Sequence, residues 1–163
     1  MNLASVVGGL AGAGALTLLN ETAKHLDKDA PRLDLLGMNA VAKLMKGASI
    51  KPPAVVGKIM PISMAGDLIS NSLYFAMAQA PTKQQTYIRG ALLGLGAGIG
   101  AVALAKPLGI DPQMSTQPLK TKVLTVAWYV VGGLAAAAMI NLITKREQER
   151  SPLKLAKHIS NGH

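Results

Sequence analysis

The sequence predicts an all-α integral membrane protein: a bundle of about four transmembrane helices with an additional amphipathic helix at the membrane interface. Three observations predict it. Only 15% of the 163 residues are charged while 50% are hydrophobic, against about 25% charged in an ordinary soluble domain. The apolar residues are gathered into uncharged runs of bilayer length, and about 20 such residues cross a 30 Å hydrocarbon core as a helix. These runs are unbroken, whereas a membrane barrel alternates apolar and polar positions in short segments.

The first run, at about 3–19, contains no charge and is close to the lower length limit for a span. No Lys or Arg precedes it, so a permanent anchor is expected rather than a cleaved signal peptide, which opens with a basic stretch. The second, about 54–80, is interrupted only by Lys58 and Asp67. The third, about 88–110, reaches span length if Arg89 and Lys106 extend their charged ends to the headgroups. The fourth, about 123–144, is uncharged throughout. Together 1–144 form one membrane domain, followed by a basic tail at 145–163 carrying Lys145, Arg146, Arg150, Lys154 and Lys157.

Between the first two runs, Ala30-Pro31-Arg32 breaks the chain, and Asp34 is expected to cap a helix over about 34–47. Arg32, Asn39, Lys43 and Lys46 fall on one arc of that helix. A basic arc on a mostly apolar helix fits the headgroup plane and anionic lipid, and Arg32, Lys43 and Lys46 are the expected headgroup contacts. A helix packed over the end of the bundle is the competing expectation.

Small residues recur every four positions: Gly8 and Gly12; Gly90, Gly94 and Gly98; Gly96 and Gly100; Gly132 with Ala136; Gly133 with Ala137. Such residues share a helix face and let two backbones approach closely. This predicts tight helix packing, either within the chain or against a partner chain. Gly94-Leu95-Gly96-Ala97-Gly98 lacks the Lys-Ser/Thr ending of a phosphate-binding loop.

Asp67 is the most informative single residue. At the centre of a span a carboxylate costs roughly 2.5–3.5 kcal/mol. Ser63, Ser70, Asn71 and Tyr74 lie within about 60° of it at about 100° per residue, making a polar stripe that is the candidate intramembrane site. Lys58 falls on the opposite face, so Asp67 is expected to be protonated, hydrated or bonded to a group such as Thr125 or Asn141. A proton- or cation-linked site and a structural hydrogen-bonding knot both account for the stripe. A second polar cluster, Asn20, Glu21, Lys24, His25, Asp27 and Asp29, contains Glu21 and His25 at a spacing that can hold a metal. A solvated helix end with local salt bridges is the favoured reading; no metal or cofactor is expected.

The absence of cysteine removes disulfides and thiol catalysis, and 3% aromatic residues are too few for a nucleic-acid stacking surface. The net charge of +9 suits bilayer flanks rather than nucleic acid. With four spans, one side of the membrane holds about ten Lys and Arg and the other seven, which favours both termini outside; the basic tail points the other way. No nucleophile–base set is visible. A non-catalytic oligomeric or accessory component of a membrane assembly is therefore ranked first, with a homo-oligomer or a membrane-protein partner. A small transporter or channel subunit using the Asp67 stripe is second. A lipid-modifying enzyme, with Glu21, His25 and Asp34 as its candidate groups, is third. The expected location is a cell membrane, the bacterial inner membrane.

Overall fold

A computed structural model describes residues 1–27, 30–53, 56–110 and 117–160, with backbone alone at 56 and 150–160. Ala54 and Val55, at the expected start of the second span, lie outside it, as do Asp29, Met114 to Thr116 and His163. The described residues form five helices: α1 (Leu3–Leu26), α2 (Leu33–Gly47), α3 (Val56–Ala76), α4 (Lys83–Leu104) and α5 (Leu119–Ser160). No strand occurs among them. Three are long and apolar enough to cross a membrane: α1, α4 and the Leu119–Glu149 part of α5, with mean hydropathies of 1.6, 1.5 and 2.0. In α3, Lys58, Asp67, Asn71 and three serines dilute the apolar run, and it is not among the three.

The helix boundaries follow local chemistry. Asn2 caps α1, its side-chain oxygen accepting from the Ser5 N–H at 2.9 Å. Thr82 caps α4 in the same way, accepting from Gln85 N at 3.2 Å. The third run therefore gains its length at the front, through 83–87, and not by continuing to Ile110. Beyond Leu104 the chain turns: Pro107 has no N–H to continue a helix, and Gly109 takes φ +61°. Asp34 does not cap α2, which begins one residue before it at Leu33; Arg32 occupies the cap position without a side-chain bond. At the other end α5 does not stop at Thr144: Lys145 to Glu149 contain no Gly or Pro, and the helix runs on through the expected tail, past Pro152, to Ser160.

Contacts give the topology. α5 lies antiparallel to α1, with Gly12 against Gly132 and Gly8 against Ile140, and antiparallel to α4, with Gly90 against Gly133 and Gly98 against Val126. α3 packs on the far side of α1, Gly9 meeting the backbone of Ser72. The order across the bundle is thus α4, α5, α1, α3, with α2 laid on α3. Phe75, fully buried, is the centre of the core with Leu16, Trp128 and Ala136, and its ring meets Tyr74 edge to face at 5.8 Å. Although joined by a short turn, α3 and α4 scarcely touch. That separation creates the site.

Candidate functional site

The α4–α5 and α1–α5 seams are closed. A methyl on Gly12 would stand 2.6 Å from the Gly132 carbonyl oxygen, and one on Gly98 would stand 2.7 Å from the Val126 Cα. Gly90 and Gly133 each face the other's carbonyl oxygen, and Gly94 faces that of Tyr129. Gly90, Gly94, Gly98, Gly132 and Gly133 therefore serve contacts within the chain. Gly96 and Gly100 do not: the nearest atoms to a methyl there are the Tyr74 hydroxyl at 3.6 Å and Leu104 at 3.9 Å.

On that looser side of α4 lies a cavity of about 450 Å³, within the size range of small-molecule sites. Asp67, Ser70, Asn71 and Tyr74 line it from α3. Ser63, the fifth member of the stripe, is buried one turn away, next to Asp67 where α2 crosses. Gly37 of α2 makes that crossing possible, since a side chain there would meet the Asp67 carboxylate and the Ser63 hydroxyl. α1 contributes Asn20 and Glu21, α2 contributes Asp34, and α5 contributes Tyr129. Ala97, Ala101 and Leu104 of α4 supply an apolar wall.

The polar groups around the cavity differ in how they are used. Asn20, buried, accepts a hydrogen bond from the Leu33 N–H at 3.1 Å and so fastens the start of α2 to α1. Glu21 pairs with Lys24 at 2.6 Å, and His25 is exposed; no metal-holding group of three acids or histidines forms among the described residues. Arg32 donates two hydrogen bonds to Asp34, at 3.0 and 2.9 Å, and Lys24 stands 3.9 Å from the same carboxylate. Burial pushes the Asp34 carboxyl up, but Arg32, the Leu35 N–H and Lys24 together hold it below its ordinary value. Asp67 is different. Among the described residues no ion pair or hydrogen bond reaches its carboxylate. Thr125 donates instead to the Thr121 carbonyl at 2.9 Å, and Asn141 to that of Lys83 at 3.3 Å, so neither is the partner expected from the sequence. The Ser70 hydroxyl turns back to its own helix, on the Asp67 carbonyl at 3.3 Å.

Two contacts bound the gap between α3 and α4. Tyr74 donates to the Leu93 carbonyl at 3.1 Å. Toward the other end, Lys43 of α2 reaches the Leu108 carbonyl just past α4, so this residue, expected at lipid headgroups, holds a backbone oxygen. Arg32 is likewise occupied by Asp34, and Lys46 is exposed. The sequence does not predict Asn20, Gly37 and Tyr129 at the Asp67 site. The sequence carries a signal for the first alone, since Asn20 belongs to the polar cluster ending α1. In comparisons with protein-family models, curated proteins and solved structures, nothing matches this chain.

Proposed function

We propose that this chain is a small multi-pass membrane protein of the transporter class, with a proton- or cation-linked site at Asp67. The observation that carries the reading is the cavity, which brings an acid without a protein partner into a space with an apolar wall. An acid at such depth is costly and is retained most readily where its charge is used. The non-catalytic oligomeric or accessory component, ranked first on sequence grounds, loses support because most of the small-residue faces that favoured it, Gly96 and Gly100 excepted, are used inside the chain. The lipid-modifying enzyme has less, because Glu21 and Asp34 are held in ion pairs.

In this reading α3 is a fourth span. It runs beside α1 in the opposite direction, and its 21 residues reach about 31 Å as a helix. Ile62, Ile69 and Leu73 are exposed along its outer side, suited to lipid. Four alternating spans leave both termini on one side and α2 on the other. The α2 side carries more Lys and Arg, which favours the cytoplasm there and termini outside; a bacterial inner membrane fits that arrangement. α2 lies at that interface, where exposed Lys46 and half-exposed Arg32 favour anionic headgroups.

The test compares wild type with Asp67→Asn, which keeps shape and hydrogen-bonding capacity and removes the titratable group. In liposomes under a pH gradient, wild type should conduct and the variant should not, with both showing the same oligomeric state in detergent. Flux absent from both intact proteins sinks the transporter reading and returns the accessory component to first place.

A further inference from the structure

The lining of the cavity identifies a ligand class, a step that rests on reading the cavity as a binding site. The chain carries a net charge of +9. Yet among the described residues Glu21, Asp34 and Asp67 line the cavity, and no Lys, Arg or His does. Two of these acids are already neutralised, Glu21 by Lys24 at 2.6 Å and Asp34 by Arg32 at 2.9 Å. Asp67 is left facing the space with no counter-charge of its own. Tyr74 and Tyr129 stand in the same lining, and aromatic rings attract ammonium groups. Leu16, Leu36, Met64, Ala97, Ala101 and Leu104 supply apolar surface, with Ser70 and Asn71 as neutral polar groups beside Asp67. The two bounding contacts, Tyr74 to Leu93 and Lys43 to Leu108, leave α3 and α4 apart between them.

We propose that the cavity binds an amphipathic organic cation, its ammonium head beside Asp67 and its apolar chain passing between α3 and α4 into the bilayer. A phospholipid is a poor occupant, because its phosphate would meet carboxylates and no cation in the lining. A metal ion is also a poor occupant, because the three acids do not converge into a metal-holding group among the described residues.

The test uses the full chain in phosphatidylcholine nanodiscs, with radiolabelled decyltrimethylammonium as the cationic probe and decyl sulfate as its anionic counterpart. Empty nanodiscs are subtracted to remove partitioning. Wild type should bind the cation saturably at one site per chain and decyl sulfate not saturably. Asp67→Asn should weaken the cation at least tenfold. Ala101→Phe, which narrows the cavity and leaves every acid in place, should weaken binding of the cation, separating volume from charge. Saturable binding of both probes alike, no saturable binding of the cation, or undiminished binding to Asp67→Asn would each overturn the ligand class. Proton flux that depends on Asp67 without cation binding removes this inference and leaves the site standing. Loss of both removes the site as well.

Discussion

The two faces of α4 carry the same glycine spacing and meet opposite surroundings. Gly90, Gly94 and Gly98 are buried against α5 with no room for a methyl group. Gly96 and Gly100, offset by two residues, have only ordinary contact with Tyr74 and Leu104. The difference comes from what lies opposite. α5 presents Gly133 and Val126 along a continuous antiparallel line, so backbones can close on each other. α3 diverges toward α1 and leaves a cavity with Asp67 in its lining instead. A small-residue repeat therefore permits close approach without requiring it: one repeat makes a seam, and the other stays open, with Gly100 at the edge of the cavity.

The contrast is most directly broken at Gly133. A methyl there meets the Gly90 carbonyl and, at 3.3 Å, the Gly94 nitrogen. These are backbone atoms, so the helices must separate. Gly133→Ala should cost about 1–3 kcal/mol, the usual range for overpacking, in unfolding followed by circular dichroism in detergent. Gly96→Ala has the space it needs and gains helix propensity, so it should leave stability unchanged or raise it by up to ~1 kcal/mol. Equal losses from the two would show that α4 has no distinct closed and open faces.

How far the sequence made this legible depends on the range of the interaction. α1, α4 and α5 follow from apolar runs, and the stripe of Asp67, Ser70, Asn71 and Tyr74 follows from helical spacing alone. Each is local. The continuation of α5 past Thr144 is not legible, because a drop in hydropathy marks the end of the apolar run and not the end of the helix. Asp34 looks like a cap in the sequence because nothing local says that Arg32, two residues before it, bonds both carboxylate oxygens. The rest of the cavity comes from Asn20, Gly37 and Tyr129, tens of residues from Asp67, and periodicity on one helix does not say which helix will face it.

The acidic end of the cavity differs from Asp67 in having its charge neutralised, and pH sharpens that difference. Because the folded-state pKa of Asp34 is lowered, its contribution is complete above the unfolded value of about 3.9. It is lost as pH falls through the folded value. A spin label at Leu44→Cys, on the exposed side of α2, should keep constant mobility from pH 8 to about 5 and loosen below about 4. Asp34→Asn should be loosened throughout, by roughly 0.2–1 kcal/mol, the range for a partly exposed ion pair. Mobility that changes near neutral pH would assign the holding of α2 to a different group.

The smallest effect on stability is expected at Lys43, where the consequence for access is larger. Its ammonium donates to the Leu108 carbonyl, in the turn that Gly109 closes with φ +61°. The bond is exposed to solvent, so water competes for both partners and removal should cost no more than about 1 kcal/mol. Yet it ties α2 to the end of α4 across the cavity. Lys43→Met keeps the packing of the aliphatic stem and removes the donor, so α2 should open more often at nearly constant stability. The absence of cysteine makes Ala101→Cys, in the cavity wall, a single reporter. A water-soluble maleimide should label it several-fold faster with Lys43→Met than without, and Lys46→Met, three residues on and exposed, should leave the rate unchanged. Equal rates in all three would mean that the cavity is reached between α3 and α4 without movement of α2, leaving the lateral gap as its entrance.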